Sequence, residues 1–244
     1  MPLPKMALLA TAASVLMLGG AGTADAVLIS GTSDLWLAGM PDGSTASSGD
    51  TAPGESPVLI PGLALAGGTI LNFAATGSVS NTPTPSGLSP DGGLFTSHSA
   101  GALNGIATLT APFNSLIGVF LDAAQPNLSP PPDGLNFAAL GIDFGSLAPA
   151  LKQPFFIGDG LTGTGTGATQ DFIVPEAATR LFLGTMDAFG WFNNSGSFDV
   201  TVSIRDGTPT PTPTPVPEPG TLALFTGALA ALALLYRHGL PKGT

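Results

Sequence analysis

Residues 57–206 predict an all-β fold, an antiparallel two-sheet β-sandwich, on three observations. The ordered-looking runs are short and are separated by stretches rich in Gly, Pro, Ser and Thr, the punctuation of closely spaced strands and turns. The run Ser197 to Ile204 alternates, with Phe198, Val200, Val202 and Ile204 on one face and Ser197, Asp199, Thr201 and Ser203 on the other. That period of two belongs to a half-buried strand. No stretch between the two apolar ends of the chain carries apolar residues at helical spacing over several turns, so the core has to close between sheets rather than against helices.

Taken in order, residues 1–26 have the three parts of a secretory signal peptide: Lys5, an apolar run from Met6 to Leu18, and the small-residue cleavage site Ala24-Asp25-Ala26. Residues 27–56 form a low-complexity N-terminal segment. Its part from Met40 to Pro57, MPDGSTASSGDTAPGESP, reads as a surface loop ahead of the first core strand. Strand-like runs follow at Pro57 to Ile60, Thr69 to Ala75, Leu116 to Leu121, Phe155 to Ile157, Asp171 to Val174, Arg180 to Thr185 and Ser197 to Ile204. The roughly 180 residues from Val27 to about Asp206 suffice for one two-sheet core with long loops.

Beyond the predicted domain, residues 207–215 alternate Thr and Pro, a composition poor in backbone donors that favours an extended, semi-rigid spacer. Thr221 to Tyr236 is apolar and uncharged, and Arg237, His238 and Lys242 follow it. This predicts a single transmembrane helix with residues 240–244 as a cytoplasmic tail. Pro217-Glu218-Pro219, the short apolar segment and Arg237 together resemble the PEP-CTERM sorting signal of bacteria over residues 216–239. The resemblance implies export, transient anchoring in the inner membrane facing the periplasm, cleavage by an exosortase, and display at the cell surface or in an exopolysaccharide matrix.

Composition narrows the function. Six Lys and Arg stand against sixteen Asp and Glu, for a formal net charge of -10, which disfavours nucleic acid and anionic lipid as partners. The absence of Cys excludes thiol catalysis, a disulfide scaffold and thiolate metal sites. His98, the single His between the signal peptide and the Thr-Pro spacer, lies among small polar residues with no G-x-S-x-G nearby and is expected to be solvent-exposed rather than catalytic. Gly158 to Gly163 fits G-x-G-x-x-G, but TGTGTGATQ behind it cannot open the helix that a dinucleotide site requires. Asp122, Asp143, Asp159 and Asp171 lie near strand ends without a spacing that marks a catalytic pair. A non-enzymatic role is expected ahead of an envelope hydrolase, which would need a carboxylate pair in a cleft.

The densest oxygen chemistry is in GTMDAFGWFNNSGSFDV, residues 184–200. Neighbouring side chains of a strand point to opposite faces, so Asn193 and Asn194 converge only where the backbone leaves a sheet. Asp and Asn are ordinary turn formers. They are also what calcium prefers, a hard cation that takes six to eight oxygens in flexible geometry.

FNNSGSFDVTV with Asp187 upstream resembles the final strand pair of the PA-IL type calcium-dependent galactose-binding bacterial lectins. AGGTILNFAATGSVSNTP (Ala66 to Pro83) is similar to that family's early strand and loop, LIGVFL to a central strand, and SPDGGL, containing Asp91, to the sugar-side loop. The resemblance implies a galactose-binding-like sandwich with Asp187, Asn193 and Asn194 as side-chain ligands of Ca2+. It implies backbone ligands at Asn81 and at Gly190 or Trp191, and carbohydrate as ligand, with Trp191, Phe189 and Asp91 at the sugar. In the competing reading, of a structural or adhesive matrix protein, calcium only pins the loop. A sugar site predicts an exposed aromatic beside the metal, and a structural site predicts Trp191 buried.

Overall fold

Short apolar runs alternating with small polar residues give strands, and Gly and Pro between them give the turns. The computed structural model describes residues 26–46, 49–81 and 87–205. The chain divides into Met1–Asp206 and Gly207–Thr244, and only the first unit contains described residues. The expected signal peptide up to residue 25 with Ala24, the Thr-Pro spacer, and the sorting signal with Pro217, Glu218, Pro219 and Arg237 lie outside the described residues. Among the described residues no helix is long and apolar enough to cross a membrane.

The fold is all-β. Its strands are β1 (Val27–Ser30), β2 (Val58–Leu59), β3 (Ile70–Ser80), β4 (Phe95–Ser97), β5 (Leu109–Pro112), β6 (Leu116–Leu121), β7 (Leu135–Asn136), β8 (Ser146–Leu147), β9 (Phe155–Phe156), β10 (Leu161–Gly163), β11 (Thr166–Thr169), β12 (Asp171–Ile173), β13 (Arg180–Thr185) and β14 (Ser195–Arg205). One turn of α-helix, Phe137–Leu140, and short 3-10 turns join them. The largest sheet runs β1-β14-β3-β12-β8, a second runs β2-β13-β6-β9, and a smaller one runs β4-β5-β7, with β10 and β11 forming a hairpin. Most pairs are antiparallel, as expected. β12 with β8 and β5 with β7 are parallel, short pairings that the long loops make available.

The axis of the large sheet is β14 against β3, in register from Ser195↔Ser80 to Arg205↔Ile70. Phe198, Val200 and Val202 point inward from β14, and Leu71, Phe73, Ala75 and Val79 from β3. They share one core with Val119, Leu181 and Leu183 of the second sheet. Burial of each such side chain contributes about 1.5–3 kcal/mol. Opposite Phe198 stands Gly77 with φ +103°, where a Cβ would run into the Ser197 carbonyl, so only glycine fits there. β6 is buried along its whole length, the continuous apolar pattern of a strand covered on both faces.

Residues 27–56, whose place the sequence leaves open, are part of this body. β1 pairs with β14 as an edge strand, and the 3-10 turn Leu35–Leu37 is fully buried. Asp34 caps that turn by accepting the Trp36 N–H at 2.9 Å. The Trp36 indole N–H donates to the Ala107 carbonyl at 3.0 Å. His98 is buried, not exposed in a polar loop: its ring stacks on Trp36 at 3.7 Å between centroids, and Nδ1 lies 2.7 Å from the Gly101 carbonyl oxygen. Burial lowers its pKa to about 4.

Candidate cation and ligand site

The turn from Asp187 to Asn194 connects β13 to β14 at one end of the two sheets. Its middle is a 3-10 turn, Trp191–Asn193, entered through Gly190 in the left-handed region at φ +82°. The carboxylate of Asp50, itself fully buried, accepts the Trp191 and Phe192 N–H groups at 3.1 and 2.8 Å. An acid from the N-terminal segment thus satisfies the donors at the start of this turn.

Asp187 and Asn194 come together. Both are buried, and the nearby Asn194 amide favours the ionised form of the Asp187 carboxylate. Asp187 Oδ1 also accepts the Ala188 N–H at 2.6 Å. Burial is the main cause that raises the Asp187 pKa, with hydrogen bonds from Asn194, Ala188 and Phe189 opposing it and Asp50 adding to it. The Asn194 amide N–H donates to the Gly31 carbonyl at 3.1 Å, and the Thr185 hydroxyl donates to the same carbonyl at 2.8 Å. Asn194 Oδ1 is buried with no hydrogen-bond partner among the described residues.

Asp34 lies near this turn. Its backbone bridges to Thr185, two residues before Asp187, and its side chain is fully buried. One oxygen accepts the Trp36 N–H, while Oδ2 has no partner among the described residues. Burial pushes its carboxyl up to about 8, with further contributions from the neighbouring Asp50, Asp187 and Glu55 charges. Desolvated carboxylates held near one another favour either a shared proton or a cation.

The remaining expected ligands fall differently. Asn81 directly follows β3, and Ser80 pairs with Ser195, so Asn81 and Asn194 lie at the same end of the paired strands. Asn193 is exposed, whereas Asn194 is buried. The carbonyls of Gly190 and Trp191 already accept the N–H groups of Asn193 and Asn194 at 3.3 and 2.9 Å. Trp191 is fully buried, with its indole N–H on the Thr185 carbonyl at 2.8 Å and its ring 5.6 Å from Trp36, so it packs the sheet end and offers no face to a sugar. Phe189 and Phe192 are 63% and 60% exposed. Asp91 engages another loop, accepting the Asp159 N–H at 3.0 Å.

Asp34 and Asp50 were invisible as members of this site. Asp34 shows only a helix-cap pattern before Leu35-Trp36-Leu37, and Asp50 lies 141 residues from the N–H it binds. Among the described residues no three His, Cys, Asp or Glu side chains form a metal-holding group. Two carboxylates and an amide oxygen are what the site offers. The unpartnered Asp34 Oδ2 and Asn194 Oδ1 fit a hard cation in chemistry. Comparison with protein-family models, with curated proteins and with solved structures found no match to this chain.

Proposed function

We propose that the chain is an exported, exosortase-processed envelope or matrix protein, a two-sheet sandwich of galactose-binding-like type. The strand-end turn 187–194 is its calcium-dependent carbohydrate-binding tip. One observation carries this reading: Phe189 and Phe192 stand exposed on the same turn whose two ends, Asp187 and Asn194, meet in a buried oxygen-rich site. Exposed aromatic rings offer an apolar face to a sugar ring. Calcium, held by Asp187, Asn194 and Asp34, would hold the turn in one conformation and neutralise its carboxylates. Exopolysaccharide is the ligand suggested by the sorting signal at residues 216–239.

A second reading keeps the cation and drops the sugar. The burial of Trp191 and the capping of its turn by Asp50 support a structural or adhesive matrix protein in which calcium only pins the loop. Neither reading requires an enzyme. Thermal unfolding of the full-length protein with chelator, with calcium, and with calcium plus simple sugars separates the two. Each ligand that binds only the native state adds stability by mass action. A further rise with one sugar, lost in Phe189→Ala, supports the carbohydrate reading. A rise with calcium alone supports the structural one.

A further inference from the structure

Away from the strand-end turn, the outer face of the largest sheet carries a groove of about 740 Å³. Its floor is the outward face of β3 and β14: Asn72, Ala74 and Thr76 beside Ser203, Thr201 and Asp199. The β10–β11 hairpin forms a wall through Leu161, Gly165 and Thr169. Gly158 to Gly163, which fits a nucleotide-loop pattern in sequence, supplies the loop that enters this hairpin. Asp159 Oδ1 accepts the Leu161 N–H at 2.9 Å and Oδ2 the Gly165 N–H at 2.6 Å. The carboxylate therefore shapes the wall.

We propose that this groove is a second ligand site, for a glycan chain bearing free amino groups. Charge complementarity is the first argument. The charged side chains lining the groove are Asp159 and Asp199, with no basic residue among the lining. Asp199 pairs with Thr76, and the Asp159 carbonyl accepts the neighbouring Ala75 N–H at 3.3 Å. The two acids therefore flank β3 from either side, two strand spacings or about 10 Å apart. That separation suits ammonium groups spaced along one chain.

The hydrogen-bonding groups left over on the floor point the same way. β3 and β14 are paired with each other along their length, so a peptide gains no strand edge to extend here. Recognition falls to the hydroxyls of Thr76, Thr201 and Ser203, which both donate and accept, as a polyol requires. Ala74 leaves the floor low enough for a ring to lie flat. The site stands independently of calcium and of the turn 187–194.

The test is calorimetric titration of the full-length protein at low salt with glucosamine oligomers and, separately, with N-acetylglucosamine oligomers. Glucosamine oligomers are expected to bind about tenfold more tightly, and added salt should weaken them by screening. Asp199→Asn, an exposed and near-isosteric change, should weaken binding about twofold to fivefold. Thr201→Arg should abolish it, and Asp187→Ala or chelator should leave it unchanged. Equal binding of the two oligomers would overturn the proposal, as would absence of binding. So would full retention of binding in both groove variants, which would place the ligand elsewhere on the acidic surface.

Discussion

Asp34→Asn should stabilise the metal-free protein at alkaline pH, although it alters a buried residue. The native carboxyl titrates at about 8 against 3.8 when free, so the folded state holds its proton more tightly than the unfolded chain. Stability therefore falls as pH rises from about 4 to about 8, and is flat above. Over the interval from pH 5 to pH 8.5 this loss amounts to about 4 kcal/mol. Asn keeps the oxygen that accepts the Trp36 N–H and removes the charge. Its new amide N–H, placed where Oδ2 has no partner, costs about 1–3 kcal/mol at every pH unless a neighbouring carboxylate accepts it. The informative quantity is the change in the mutant-minus-native difference between the two pH values. In chelator it should favour the variant at pH 8.5 by about 4 kcal/mol more than at pH 5, or roughly 10 °C in Tm for a domain of this size. Thermal unfolding of both full-length proteins in four buffers measures it. Equal differences at pH 5 and pH 8.5 would refute the reasoning, because they would mean that Asp34 is not buried as a protonated acid.

Other perturbations have equally definite outcomes. His98 titrates at about 4 in the fold against 6.5 free, so its contribution to stability should be lost as pH falls from 6.5 to 4, by about 3 kcal/mol; the native-minus-variant difference in acid titrations of native and His98→Gln proteins should change by that amount, with the opposing Asp34 slope common to both. Asp50→Ala leaves the Trp191 and Phe192 N–H groups without their carboxylate and should cost about 2 kcal/mol in chemical denaturation. Phe192→Ala, at an exposed position, should change stability by less than about 0.5 kcal/mol while reducing retention on a polysaccharide affinity column. Gly77→Ala forces a Cβ against the Ser197 carbonyl at a left-handed position and should lower stability by about 1–3 kcal/mol or more, visible as a lower denaturation midpoint.

Much of the strand content was legible because it rests on local alternation. The runs at 116–121 and 180–185 coincide with β6 and β13, and the alternation of 197–204 lies within β14. β1, β4, β5, β7 and β8 were not, since strands of two to four residues carry too little periodicity to read. TGTGTGATQ was correctly denied a helix, but its repeated small residues hid the β10–β11 hairpin. The candidate site was half legible. Asp187 and Asn194 follow from one turn, whereas Asp34 and Asp50 reach it from the N-terminal segment through tertiary contacts with no local signature. Trp191 misled for a related reason. It sits in a glycine-entered turn ahead of Asn193 and Asn194, but Trp36 and His98 come from distant segments to bury it.

The most direct test of a cation-dependent tip is the melting temperature of the full-length protein with chelator and with millimolar calcium, compared with that of Asp187→Ala. Calcium should raise the native Tm in proportion to its occupancy and leave the variant unmoved. Identical melting of the native protein in chelator and in calcium would contradict the cation site and return residues 187–194 to a turn held by its own hydrogen bonds, to Asp50, Asp187, Thr185 and Gly31.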